Sequence, residues 1–141
     1  MDKSRNKMAR RTLLSGLAAL VVISGAHAAG PSPAGDWRAQ EIGGSGVPDG
    51  LESTLSIAPD GLTTGIAGCN IMRGRATIEG EKLYFGPLTT TQMACRPAVD
   101  DQERKFLRAL DETRLFVVEG SFLRLKSAEG KGLMTLIRVD R

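Results

Sequence analysis

Cys69 and Cys95 are the only two thiols in the 141-residue chain. In an oxidising compartment an isolated pair forms a disulfide, and two cysteines can pair in one way only. Closing a loop of this size stabilises a fold by about 3 kcal/mol on the chain-entropy model. Two other chemistries stand beside that one: buried free thiols, or a redox pair. A redox pair favours C-x-x-C spacing, where the second thiol and a helix start depress the pKa, and these two lie far apart. The structural disulfide is the expectation.

The only histidine is His27. It falls in a leader described below, so the remainder of the chain has no imidazole. Ser-His-Asp and Cys-His catalysis both need one, and catalytic zinc sites nearly always use one. Two cysteines alone make no zinc site. No catalytic residue, cofactor or metal ligand is therefore expected. Asp100, Asp101 and Glu103 could be read as paired catalytic carboxylates, but acids in a first helical turn complement the helix dipole. Gly43–Gly50 (GGSGVPDG) lacks the G-K-[ST] ending of a phosphate loop, opens no helix, and is not G-x-S-x-G. It reads as a surface loop. An enzyme would have to use Ser/Lys, carboxylate or Cys chemistry, and no motif marks such a pair.

The elements that must position these residues begin after residue 28. Met1–Thr12 is basic (Lys3, Arg5, Lys7, Arg10, Arg11), Leu13–Gly25 is apolar, and Ala26-His27-Ala28 is a small-x-small cleavage site. That is a signal peptide over 1–28, with a mature start at Ala29 and a periplasmic or secreted product. The apolar stretch falls short of the roughly 20 residues of a spanning helix, so no membrane anchor is expected after cleavage. Arg10-Arg11 next to an apolar start permits twin-arginine export. No Cys near the cleavage site offers a lipid attachment point.

Removing the leader changes the charge. The chain is formally +3, and residues 1–28 hold five Lys/Arg and one acid, so the rest carries −1. Clustered basic charge, the usual footprint of nucleic-acid binding, is absent from it. No nucleic-acid partner is expected. The 113 residues from Ala29 onward suffice for one core.

Residues 29–35 (AGPSPAG) read as a flexible linker. Asp36–Ile42 has strand character, anchored by Trp37. Ser53–Ala58 alternates, with Leu55 and Ile57 on one face. Pro59-Asp60-Gly61 is a turn, and Leu62–Ala67 is its hairpin partner. Ala76–Ile78 and Lys82–Phe85 form a second hairpin, and Leu88–Met93 is extended. One helix is expected over Asp101–Leu110, with Asp100 as N-cap and Glu103 completing a variant capping box. Phe106, Leu107 and Leu110 form its apolar stripe, opposite Arg104, Lys105 and Arg108. Three strands follow: Arg114–Glu119, Phe122–Lys126 and Leu133–Val139. The fold class is α+β: one small domain, a curled, barrel-like antiparallel sheet with a helix inserted before the last three strands.

Gly68-Cys69-Asn70, Gly74, Leu83-Tyr84-Phe85-Gly86-Pro87-Leu88 and Thr91-Gln92-Met93-Ala94-Cys95 together resemble the META domain, or HslJ-like, family. Glu103, Phe106-Leu107-x-x-Leu110 and Phe122-Leu123-x-Leu125 continue the pattern over Asp36–Arg138. The resemblance implies a small α+β envelope domain, associated with heat-shock expression, tolerance of the antibiotic novobiocin and, in distant relatives, motility or secretion. It brings no catalytic residue. Where many members carry an aromatic after the motif glycine, this chain has Gly74-Arg75-Ala76. Read physically, Gly68 gives backbone room beside Cys69, and Asn70 suits a left-handed turn bonding its own backbone. Thr91 and Met93 could point inward toward Cys69. Gly68, Asn70, Gly74, Thr91 and Met93 are thus expected to be structural.

The expected function is that of an exported, non-catalytic envelope protein acting in stress or antibiotic tolerance through binding or a structural role. Its partner is an unknown envelope protein or ligand, and a monomer is expected. The alternative is an edge-strand or inhibitory module acting on an envelope protein.

Overall fold

Alternation of apolar and polar residues builds most of the molecule. The computed structural model describes residues 30–140; the leader, its cleavage site and the twin-arginine pair lie outside the described residues. The strands are β1 (Gly35–Ile42), β2 (Ser45–Gly46), β3 (Thr54–Ile57), β4 (Leu62–Ile66), β5 (Ile71–Glu79), β6 (Lys82–Phe85) and β7 (Thr89–Thr90). Helix α1 (Pro97–Glu112) follows, then β8 (Leu115–Glu119), β9 (Phe122–Lys126) and β10 (Gly132–Arg138).

Neighbouring strands run in the order β10-β9-β8-β6-β5-β4-β3-β1, and β1 pairs back onto β10. The result is an eight-stranded antiparallel barrel in a single domain, with one helix before the last three strands, as the sequence pattern predicts. Closure sets Trp37 opposite Arg138 and Ile42 opposite Met134, with a register shift between Ala39 and Glu41. On the far side the β6–β8 seam rests on one register pair, Lys82 with Leu115. Backbone bonds from Leu83 N to Arg114 O (3.0 Å) and from Phe116 N to Glu81 O (3.1 Å) flank it.

The inward positions of the strands fill the core. Leu55 and Ile57 of β3, Leu83 and Phe85 of β6, and Leu123 and Leu125 of β9 are all buried. Phe106 and Leu110 of α1 complete it. Trp37 is the aromatic anchor the sequence suggests: it is fully buried, its Nε1 donates to Pro33 O at 2.8 Å, and the Arg138 guanidinium lies 4.2 Å from its ring centre. That contact reaches into the expected linker: Pro33 is buried and Gly35 already belongs to β1, so the chain from Pro33 onward is held against the barrel.

Two further boundaries differ from expectation. Strand β5 starts at Ile71, not Ala76, because its inward positions at Met72, Gly74 and Ala76 include two small residues that hide the alternation. Helix α1 starts at Pro97, four residues before the expected start, and runs on to Glu112. A proline at the first helical position loses no hydrogen bond and brings a helical φ, so Arg96 is the N-cap, without a side-chain cap bond. Asp100 therefore sits inside the first turn rather than capping it. Phe106 and Leu110 face the core and Arg104, Lys105 and Arg108 face solvent as expected, while Leu107 is only partly buried.

Candidate functional site

The motif residues converge on Asn70. The turn from β4 to β5 carries Gly68, Cys69 and Asn70; the extended chain after β7 carries Thr91, Met93 and Cys95; α1 supplies Glu103. Glu103 Oε2 accepts the backbone N–H of Cys69 at 3.1 Å and of Asn70 at 2.8 Å. Its Oε1 accepts Asn70 Nδ2 at 2.8 Å. Asn70 Oδ1 in turn accepts the Thr91 hydroxyl at 3.0 Å and the Met93 N–H at 2.7 Å. Thr91 Oγ1 also accepts the Ile71 N–H at 3.0 Å. Cys69 and Cys95 form a disulfide across the same junction, with their Cα atoms 6.4 Å apart. The disulfide reading of the two cysteines is thus the one the fold adopts.

Three expectations about the motif change. Asn70 does not adopt a left-handed turn, since no described non-glycine residue has positive φ; its side chain bonds distant segments instead of its own backbone. Met93 does not point inward: its side chain is about half exposed, and its backbone N–H does the bonding. Glu103 does not cap its own helix; its carboxylate is taken up by the 68–70 turn. The sequence singled out Glu103 as a family position, but its partners are 33 and 34 residues away and no local spacing reveals them.

The two glycines of the motif are positions of close approach. A Cβ on Gly68 would lie 3.0 Å from both Glu103 Cβ and the Val99 carbonyl oxygen, so Gly68 lets the turn dock on α1. A Cβ on Gly74 would lie 2.6 Å from Leu88 Cδ2 and 2.8 Å from the Pro87 carbonyl oxygen. With no side chain there, the Gly86-Pro87-Leu88 crossover packs directly on β5.

The electrostatics of this clasp do not suit proton transfer near neutral pH. Burial pushes the Glu103 carboxyl up, but the bonds from the Asn70 side chain, the Asn70 N–H and the Cys69 N–H outweigh it and hold its pKa below the ordinary carboxylate value. It is an ionised acceptor. Ser53, buried nearby, donates its hydroxyl to Ala67 O at 2.7 Å and accepts Gln102 Nε2 at 3.2 Å. Among the described residues no three His, Cys, Asp or Glu side chains converge as metal ligands. No described helix is long and apolar enough to cross a membrane.

A cleft of about 500 Å³ opens elsewhere, between the 42–51 loop, the outer face of α1 and the start of β10. Ile42, Pro48, Leu51, Ala98, Ala109 and Leu133 give it an aliphatic lining. Asp101, Lys105, Arg108, Glu112 and Lys131 supply charge, and the buried Gln102 reaches it from α1. Lys105 bonds Asp101 at 2.7 Å, and that bond holds the Asp101 carboxyl below its ordinary value. Arg108, Lys131 and Glu112 take part in no ion pair among the described residues. No motif marks this site in the sequence, because it is assembled from three separate segments of chain.

The sequence matches the META domain family over residues 32–140. Among solved structures, an NMR structure of a protein from Burkholderia xenovorans is similar at 26% identity and TM-score 0.61, covering 76% of this chain and 83% of that one. A second NMR structure is similar at 20% identity and TM-score 0.59, covering 74% and 88%. A duf4847 family protein from Bacteroides vulgatus is similar at 15% identity and TM-score 0.57, covering 77% and 94%. The two likenesses at 20% and 15% identity carry the fold alone. No curated protein matches the sequence.

Proposed function

Since the chain belongs to the META domain family, we propose that it is an exported, non-catalytic binding protein of the bacterial envelope, acting in envelope stress or antibiotic tolerance. One observation carries the binding role. The motif side chains that bond are committed to one another in the Asn70–Glu103 clasp, whereas the cleft on the outer face of α1 presents aliphatic surface and uncommitted charge to solvent. A concave, partly apolar surface with a few polar groups, set on a helix that the clasp holds in place, is the arrangement ligand sites commonly take. The leader and the disulfide both favour an oxidising compartment. Ser53, whose hydroxyl is donated to Ala67 O, is poorly placed as a nucleophile, which favours a role without catalysis.

The edge-strand alternative is weaker on this geometry. β1 and β10 close the barrel circuit, and outside it lie β2 and β7, each two residues long. Strand addition needs a longer unpaired edge.

Deleting the gene should sensitise cells to envelope stress or to amphiphilic antibiotics. The wild-type chain should restore resistance, and a cleft-blocking Ala98→Trp variant, exported to the same level, should not. Unchanged sensitivity on deletion, or full rescue by Ala98→Trp, would sink the reading.

A further inference from the structure

We propose that the cleft binds a single-chain amphiphile with an anionic head, its hydrocarbon chain on the floor and its head between Arg108 and Lys131. This rests on reading the cleft as the binding site and adds the class of ligand. The lining selects the chain. Ile42, Pro48, Leu51, Ala98, Ala109 and Leu133 are aliphatic or small, and no aromatic side chain lines the cleft. Such a surface suits a flexible hydrocarbon and offers no ring to stack a planar ligand. A volume of about 500 Å³ lies within the range of sites for small molecules.

The charges select the head. Asp101 is paired with both Lys105 and Arg104, which leaves Arg108 and Lys131 against Glu112. Arg108 of α1 and Lys131 of the β9–β10 turn both line the cleft, and both are exposed. An anion there would keep its contact with water while gaining two charge-assisted bonds, one of them to a guanidinium fork that fits a carboxylate or phosphate. Glu112, one helical turn after Arg108, opposes that anion, and this gives the proposal a signed test.

The full chain is titrated with laurate below its micelle concentration, and backbone amide NMR shifts report the site. Saturable shifts are expected at Ile42, Ala109 and Leu133. Arg108→Ala with Lys131→Ala should weaken laurate binding about tenfold or more, and Glu112→Gln should tighten it. Dodecyltrimethylammonium, with the same chain length and a cationic head, should bind more weakly. Equal or tighter binding of the cation at the same residues overturns the anionic head and leaves the cleft as a binding site. Absence of shifts there with laurate, dodecyltrimethylammonium and neutral dodecyl maltoside overturns both readings. Shifts confined to residues 1–29, or binding to phosphatidylglycerol vesicles without binding of monomeric laurate, overturns the proposal as well.

Discussion

Asn70 and Glu103, 33 residues apart, are joined twice: the Asn70 backbone N–H and its Nδ2 each donate to a different oxygen of the Glu103 carboxylate, both at 2.8 Å. The same asparagine holds the 91–93 segment through Oδ1. One buried amide thus links a turn, an extended segment and the helix, and that position drives the first prediction.

Asn70→Ala removes three side-chain hydrogen bonds and strands their partners. At about 1 kcal/mol per bond, with more for the bond to a charged acceptor, it should lower unfolding free energy by roughly 2–4 kcal/mol. Urea denaturation measures this. A loss below about 0.5 kcal/mol would mean the hub is dispensable.

The pH dependence of stability should carry the signature of Glu103. Its folded pKa lies below the ordinary value of 4.5, so the unfolded chain binds more protons in the window between them. Stability from this group is full above about 4.5 and is lost as pH falls through the folded pKa. Glu103→Gln should therefore be less stable than wild type at neutral pH, and the gap should narrow below pH 4.5. A gap constant from pH 7 to pH 3 would remove the charged role.

Reducing Cys69–Cys95, or replacing both with Ser, reopens a 26-residue loop. The expected loss is roughly 3 kcal/mol, read as a drop in the denaturation midpoint on adding dithiothreitol. The Ser pair should show no response to the reductant. A wild-type midpoint indifferent to reduction would show that the Asn70 clasp holds the junction alone.

Gly68→Ala places a methyl group 3.0 Å from Glu103 Cβ and Val99 O. Backbone must yield, and overpacking of this kind costs about 1–3 kcal/mol. Thermal unfolding should show a lower midpoint for Gly68→Ala than for Gly132→Ala, where nothing lies within 4 Å of the added carbon and φ is not positive. The reverse order would mean that the turn can move off α1 freely.

The legible parts of this fold were those whose cause is local. Period-2 alternation marked β3, with Leu55 and Ile57 inward, and β9, with Leu123 and Leu125 inward, and the Pro59-Asp60-Gly61 turn joined β3 to β4. Gly74 and Ala76 blurred the first half of β5, since a small inward residue looks polar to a pattern of hydrophobicity. The start of α1 was misplaced for a related reason: Asp100 and Glu103 have the spacing of a capping box, and nothing local says that the glutamate answers to Asn70. The disulfide was the expectation from two widely spaced cysteines and the oxidising compartment that the leader implies. The cleft needed three stretches of chain brought together by the closed barrel, and tertiary folding alone supplies that.

The pairing of β1 with β10, sealed by Val139 N donating to Asp36 O at 2.9 Å, also sets the order of events at birth. The first strand made must wait for the last, so the ring stays open until residue 138 has been synthesised. Contacts of such long sequence separation form late and slowly. The half-made sheet therefore exposes Leu55, Ile57 and Leu83 during synthesis, and loss of a few C-terminal residues should harm the newborn chain more than loss of as many from an internal turn.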